Sequence, residues 1–111
     1  MDTNTHRNRI RELNDNARRF LVEGNVYVTR GIAALPAADQ AIIFSRVCSF
    51  DEFTSANDPY GEHDFGAFDH NGIRIFWKID CYDLDDRYGS PDPADPKVTH
   101  RVLTILLANE Y

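Results

Sequence analysis

Sulfur is scarce in this chain, with two cysteines and one methionine among 111 residues. Cys48 and Cys81 lack the C-x-x-C spacing of a structural zinc site and each sits in an apolar pattern, so both are expected to be reduced packing residues. Long hydrophobic runs are missing as well. No stretch approaches the roughly 20 apolar residues that cross a bilayer, and the polar start MDTNTHRNRIRELND lacks the apolar segment of a secretory signal. A cytoplasmic protein with no membrane contact is expected. Gly61 and Gly66 stand alone and build no phosphate loop, and Ser45, Ser49, Ser55 and Ser90 lack a G-x-S-x-G elbow. These gaps argue against an enzyme, and no cofactor is expected.

What is present is a core. A hydrophobic share of 42% and an aromatic share of 12% against a net charge of −6 exclude a disordered chain, and the length suits one domain over residues 1–111. Charge is unevenly placed. Residues 1–50 carry seven arginines against five acids, whereas residues 51–96 carry twelve acids against three bases. The middle of the chain is an acidic pole, which repels nucleic acid and favours a basic partner.

The first expected element is a helix over about residues 6–22, capped by Thr5, with Ile10, Leu13, Ala17, Phe20 and Leu21 as its apolar stripe. Arg7, Arg9, Arg11, Arg18 and Arg19 lie mostly off that stripe, as a solvated face or as phosphate contacts. Gly24 and Asn25 stop the helix. Alternation over residues 26–31 predicts a short strand, and Pro36 opens a second, apolar helix over about 36–49. DEFTSANDPYG at 51–61 reads as an ordered loop.

Asn71-Gly72 between two strand-like runs is the favoured pair of a type I′ turn, and it predicts a hairpin of residues 63–70 and 73–83. The turn fixes the register so that facing residue numbers sum to 143. Asp69 then opposes Arg74, Phe68 opposes Ile75, Gly66 opposes Trp77 and His63 opposes Asp80. Ile73, Ile75, Trp77, Ile79 and Cys81 form the core face, while Arg74, Phe76, Lys78, Asp80 and Tyr82 form the other. The prolines of GSPDPADP exclude helix and inner strand. Residues 98–108 are apolar on both alternating faces and predict a central strand. The fold class is therefore α+β, a small antiparallel sheet packed by two helices.

The sharpest chemical cluster is His63, Asp64, Asp80, Asp83, Asp85 and Asp86. A His63–Asp80 pair with carboxylates nearby suits a divalent-metal-dependent hydrolase, yet D-L-D-D does not match the D-x-D-x-D-G calcium loop, and a solvated surface explains the same residues. His6, His70 and His100 have no companion at a ligand spacing, so no metal site is assigned to them.

EHDFGAF at 62–68, FWKIDCYDLDDRYGSPDPADP at 76–96 and THRVLTILLANEY at the C-terminus resemble a small family of unknown function from bacterial plasmids, phages and related mobile elements. The resemblance spans roughly residues 6–111, and where members commonly read WKIDYYD this chain has Cys81. It implies a non-enzymatic anti-defence inhibitor, of the anti-CRISPR or anti-restriction kind, whose acidic surface binds a host defence protein or complex with a basic surface. The partner-binding residues are then Asp80, Asp83, Asp85, Asp86, Asp92 and Asp95, with Glu62, Asp64 and Asp69 next. A small DNA-binding regulator using the arginines of the first helix is the remaining alternative. A monomer or homodimer is expected, the latter through Phe65, Phe76 and Tyr82.

Overall fold

The computed structural model of the chain describes residues 3–21 and 25–111. Three helices and four strands follow one another as α1 (Thr3–Phe20), β1 (Val26–Val28), α2 (Arg30–Ala33), α3 (Ala37–Cys48), β2 (Phe65–His70), β3 (Ile73–Tyr82) and β4 (His100–Leu107). Short 3-10 turns occupy Pro96–Val98 and Ala108–Glu110. The fold is α+β, with the strands ordered β1-β4-β3-β2 in one open sheet.

The hairpin follows from its turn. Asn71 (φ 50°) and Gly72 (φ 79°) take the left-handed conformation that a type I′ turn demands. Residues 65–70 then face 73–78 in the expected register. The amide of Ile79 still donates to the carbonyl of Asp64, but there β2 ends, because His63 turns to a φ of 54°. The expected His63–Asp80 pairing does not form. Gly66 sits under Trp77, where any Cβ would overlap the indole.

β4 is a central strand, as its two apolar faces require, running antiparallel to β3 and parallel to β1. The expected all-antiparallel sheet is thus mixed. No tight turn links β1 to β4, so nothing local sets their direction, and the amides of Leu103 and Thr29 secure the pair through the carbonyls of Asn25 and Ile105. β1 is also shorter than the expected 26–31. Thr29 leaves the strand and residues 30–33 coil into α2, which drives Ile32 fully into the core.

Ile32, Ile43, Val47, Phe50, Phe68, Ile75, Trp77, Ile79, Leu103 and Ile105 form that core, between the helices and one sheet face. Each such buried side chain contributes about 1.5–3 kcal/mol by leaving water. Phe50, Phe53 and Trp77 meet edge to face, with ring centroids 5.1–6.1 Å apart.

α1 departs most from its hydropathy. It begins at Thr3, so Thr5 lies inside the first turn rather than capping it. Its buried positions are Ile10, Asn14 and Arg18, one face at four-residue spacing, while Phe20, expected on the apolar stripe, is 72% exposed. The expected last helical residue Val22 and the stop at Gly24 lie outside the described residues. Leu21 already takes a left-handed φ of 38° with its amide on the Ala17 carbonyl. The loop over 51–61 is ordered as expected: Thr54 and Asn57 exchange side-chain to backbone hydrogen bonds, and the Gly61 amide donates to the Asp58 carbonyl.

Candidate functional site

Two polar assemblies flank the hairpin. One is the acidic rim of residues 80–95, where strand β3 ends, a tight turn follows and the proline-bearing connection begins. The chain leaves β3 at Tyr82, which forms a β-bridge with Gly89. Between them the Asp83 amide donates to the Tyr88 carbonyl, the Asp86 amide to the Asp83 carbonyl and the Arg87 amide to Asp83 Oδ1. Residues 83–88 are thereby locked into one turn. At its tip Asp85 and Asp86 are exposed, and so are Leu84 at 64% and Tyr88 at 75%. Asp86 holds a φ of 57°, an uncommon conformation for a non-glycine residue that costs roughly 1–3 kcal/mol. Its carboxylate is 2.6 Å from His100 Nδ1, and the other ring nitrogen of His100 meets Asn25.

The nine sequence-nominated acids do different things. Asp83, Asp92 and Asp95 cap turns, accepting from the amides of Arg87, Ala94 and Lys97. The His6 ring lies against Asp92, and hydrogen bonds from His6 and then the Ala94 amide hold its carboxyl below the usual range. Asp69 pairs with Arg74, and Asp80 with Lys78 at 2.6 Å. Glu62, Asp64 and Asp85 have no ion-pair partner among the described residues. Partial burial pushes the carboxyl groups of Glu62 and Asp64 up, and each is raised further by neighbouring carboxylates, Asp64 and Asp58 around Glu62, Asp58 and Asp80 around Asp64.

The second assembly was not legible in the sequence. His63, expected opposite Asp80, instead places Nδ1 2.8 Å from Asp15 and Nε2 3.4 Å from Asp58, with its ring stacked on Phe53 at 3.7 Å. Asp15 also pairs with Arg18 at 3.0 Å. Burial by itself would raise the Asp15 carboxyl, but hydrogen bonds from His63 and Arg18 outweigh it and the net shift is downward. Arg18 is buried to 1% exposure, and its Nη1 donates to the carbonyls of Val47, Cys48 and Phe50 at the end of α3. Beside it the buried Asn14 donates to the Glu62 carbonyl and accepts from Arg101, which also donates to the Pro93 carbonyl. This network ties α1 to the loop, to α3 and to the rim. Its bonds satisfy backbone carbonyls at the end of α3 and in the loops, which is structural chemistry, and both ring nitrogens of His63 are committed to it.

Three further arginines of α1 are also engaged, while Arg19 is exposed. Arg9 pairs with Glu12, Arg11 donates to Asn8 and to the Gly61 carbonyl, and Arg7 lies over the Tyr60 ring. With Arg18 drawn inside, the helix is a poorer phosphate-binding surface than its composition implies. Both cysteines are free and half-buried, and burial pushes their thiols up, away from the reactive thiolate. Among the described residues no group of three or more His, Cys, Asp or Glu is placed to hold a metal ion, and no helix is long and apolar enough to cross a membrane.

No curated protein and no solved structure matches the chain. A family model does match, over residues 28–110, from β1 through the hairpin and the acidic rim to the C-terminal turn, and by that match the chain belongs to the family described as protein of unknown function DUF3768.

Proposed function

We propose that the chain is a non-enzymatic binding module that docks on a basic protein surface through its acidic rim, with the turn 83–88 as the point of contact. One observation carries this reading: Leu84 and Tyr88 stand exposed beside Asp85 and Asp86 on a turn locked by its own hydrogen bonds. An exposed tyrosine and leucine are anchors that a protein partner covers, carboxylates around them steer a basic partner, and a rigid turn loses little entropy on binding. Glu62, Asp64, Asp69, Asp80, Asp92 and Asp95 extend the negative field without needing direct contact.

The resemblance to proteins of mobile elements narrows the partner to a host defence protein or nucleoprotein complex, which makes the module an anti-CRISPR or anti-restriction inhibitor. Carboxylates on the rim would stand where phosphates otherwise lie against lysine and arginine. The test presents purified CRISPR effector and restriction complexes one at a time to the immobilised chain. Binding that weakens with salt and disappears in an Asp83→Lys, Asp85→Lys, Asp86→Lys variant is expected. Because Asp83 also caps the turn, the Asp85→Lys single variant is run beside it. Binding unchanged in both variants, or none in any complex, would overturn the reading.

A further inference from the structure

Among the described residues, the three helices cover only one face of the sheet. Ile32 of α2, Ile43 and Val47 of α3 and Arg18 of α1 all pack on the side that bears Ile75, Trp77, Leu103 and Ile105. On the opposite side the C-terminal residue reaches across: Tyr111 lies edge-on to Phe65 and Phe76, at 6.4 Å and 5.8 Å, and remains 79% exposed. An aromatic patch on a sheet face that no helix covers is the place where another molecule is expected.

The charge pattern says which molecule. Along β3 this face reads Arg74, Phe76, Lys78, Asp80 and then Tyr82 at the strand end. Read in reverse, the first four positions set Asp80 against Arg74 and Lys78 against Phe76, so each of the four meets a complement: two ion pairs at the ends and two cation–π contacts between them. Those positions are complementary to themselves run antiparallel. The face is also charge-balanced, with Asp69 and Asp80 against Arg74 and Lys78, so it escapes the net repulsion that a charge of −6 sets between two copies. The Arg74–Asp69 and Lys78–Asp80 pairs within the chain are open enough to be shared, their side chains being 35–67% exposed.

We propose that this face is a homodimer interface, in which two copies stack sheet on sheet about a two-fold axis passing near Trp77. Arg74 of each copy pairs with Asp80 of the other, and Lys78 of each lies over Phe76 of the other. Such an interface is isologous and closes on itself, so it yields a dimer and no larger assembly. It leaves the turn 83–88 of each copy outside the contact.

The test is charge exchange read by sedimentation over a wide concentration range. The wild-type chain is expected to sediment as a dimer. Arg74→Glu sets a second carboxylate against Asp80, and Asp80→Arg sets two guanidinium groups together, so each variant alone weakens dimerisation by about tenfold or more. Mixed one to one, the two variants restore the dimer, because the carboxylate introduced at position 74 of one faces the guanidinium introduced at position 80 of the other, and the first copy's own Asp80 faces the second copy's own Arg74. A wild-type monomer, single variants that dimerise as well as wild type, or a mixture that stays monomeric would each overturn the proposal. Isotope-filtered NMR on half-labelled wild-type protein reads the same geometry without substitution: contacts between Phe76 and Lys78 of different copies are expected, and a dimer without them would reject this interface. Partner binding is read on Arg74→Glu alone, since Asp80 belongs to the acidic surface proposed above: dimerisation lost with partner binding intact separates this inference from that function.

Discussion

The guanidinium carbon of Arg18 lies 5.2 Å from the centre of the Trp77 ring, and both side chains are sealed from solvent. A charge in that position is tolerated because three carbonyls and the Asp15 carboxylate surround it, and because its flat face rests on aromatic rings. Arg18→Ala strips the α3 carbonyls of their donor and leaves Asp15 with one partner fewer. A loss of about 3–5 kcal/mol in urea unfolding is expected. Arg18→Met keeps the apolar stem over Trp77 and removes the cost of burying a charge, so its loss should be the smaller of the two. Equal losses would show that the charge, not the packing, holds α1 in place.

Trp77 dictates the residue opposite it on β2. Gly66 leaves the space that the indole fills, and a methyl group there must move either the ring or the strand. Gly66→Ala is expected to cost about 1–3 kcal/mol. In the Gly66→Ala, Trp77→Phe double variant the smaller ring makes room, so the two losses should not add. Additive losses in this double-mutant cycle would mean that the glycine is required for another reason.

The carboxylates divide by the sign of their effect on stability. Asp15 is held below its ordinary value, so it contributes stability that is present above the unfolded carboxylate range and is lost as pH falls through its lowered folded value. Glu62 and Asp64 are raised, so their contribution is present at acid pH and is lost as pH rises through their folded values. At neutral pH Asp15→Asn should therefore lower the melting temperature, and the Glu62→Gln, Asp64→Asn double variant should raise it. Both differences should shrink as the pH is taken down through the carboxylate range. Thermal unfolding followed against pH decides, and shifts of the same sign for both variants would contradict the assignment.

The hairpin was readable because its information is local: two residues that tolerate positive φ set the register of everything up to Asp64. β4 was readable as central from its own two apolar faces. The direction of β1 was not, since it depends on residues 77 positions away along the chain. Arg18 and His63 were misplaced for a related reason. Hydropathy sends an arginine outward unless its partners are known, and those partners are the carbonyls at residues 47, 48 and 50. The register rule sent His63 to Asp80, and it failed because Asp58 and Asp15 draw the imidazole away from the sheet. Of the nine nominated acids, sequence position alone could not separate turn caps such as Asp95 from unpaired groups such as Asp85.

That separation gives the rim a division of labour. Asp85 is exposed, has no ion-pair partner among the described residues and caps no turn there, so in the proposed docking its charge would attract an approaching partner at long range. In the same proposed docking the exposed Tyr88 ring would be buried only once the partner has docked. Asp85→Lys is therefore expected to slow association and flatten its salt dependence while leaving dissociation nearly unchanged. Tyr88→Ala is expected to leave association nearly unchanged and to speed dissociation by about tenfold or more, the effect of losing a central aromatic anchor. Surface plasmon resonance against the captured partner at two salt concentrations reads both rates. The opposite assignment, with Tyr88 governing association and Asp85 governing dissociation, would place the binding centre on the carboxylates themselves and make the turn a mimic of phosphates with no apolar anchor.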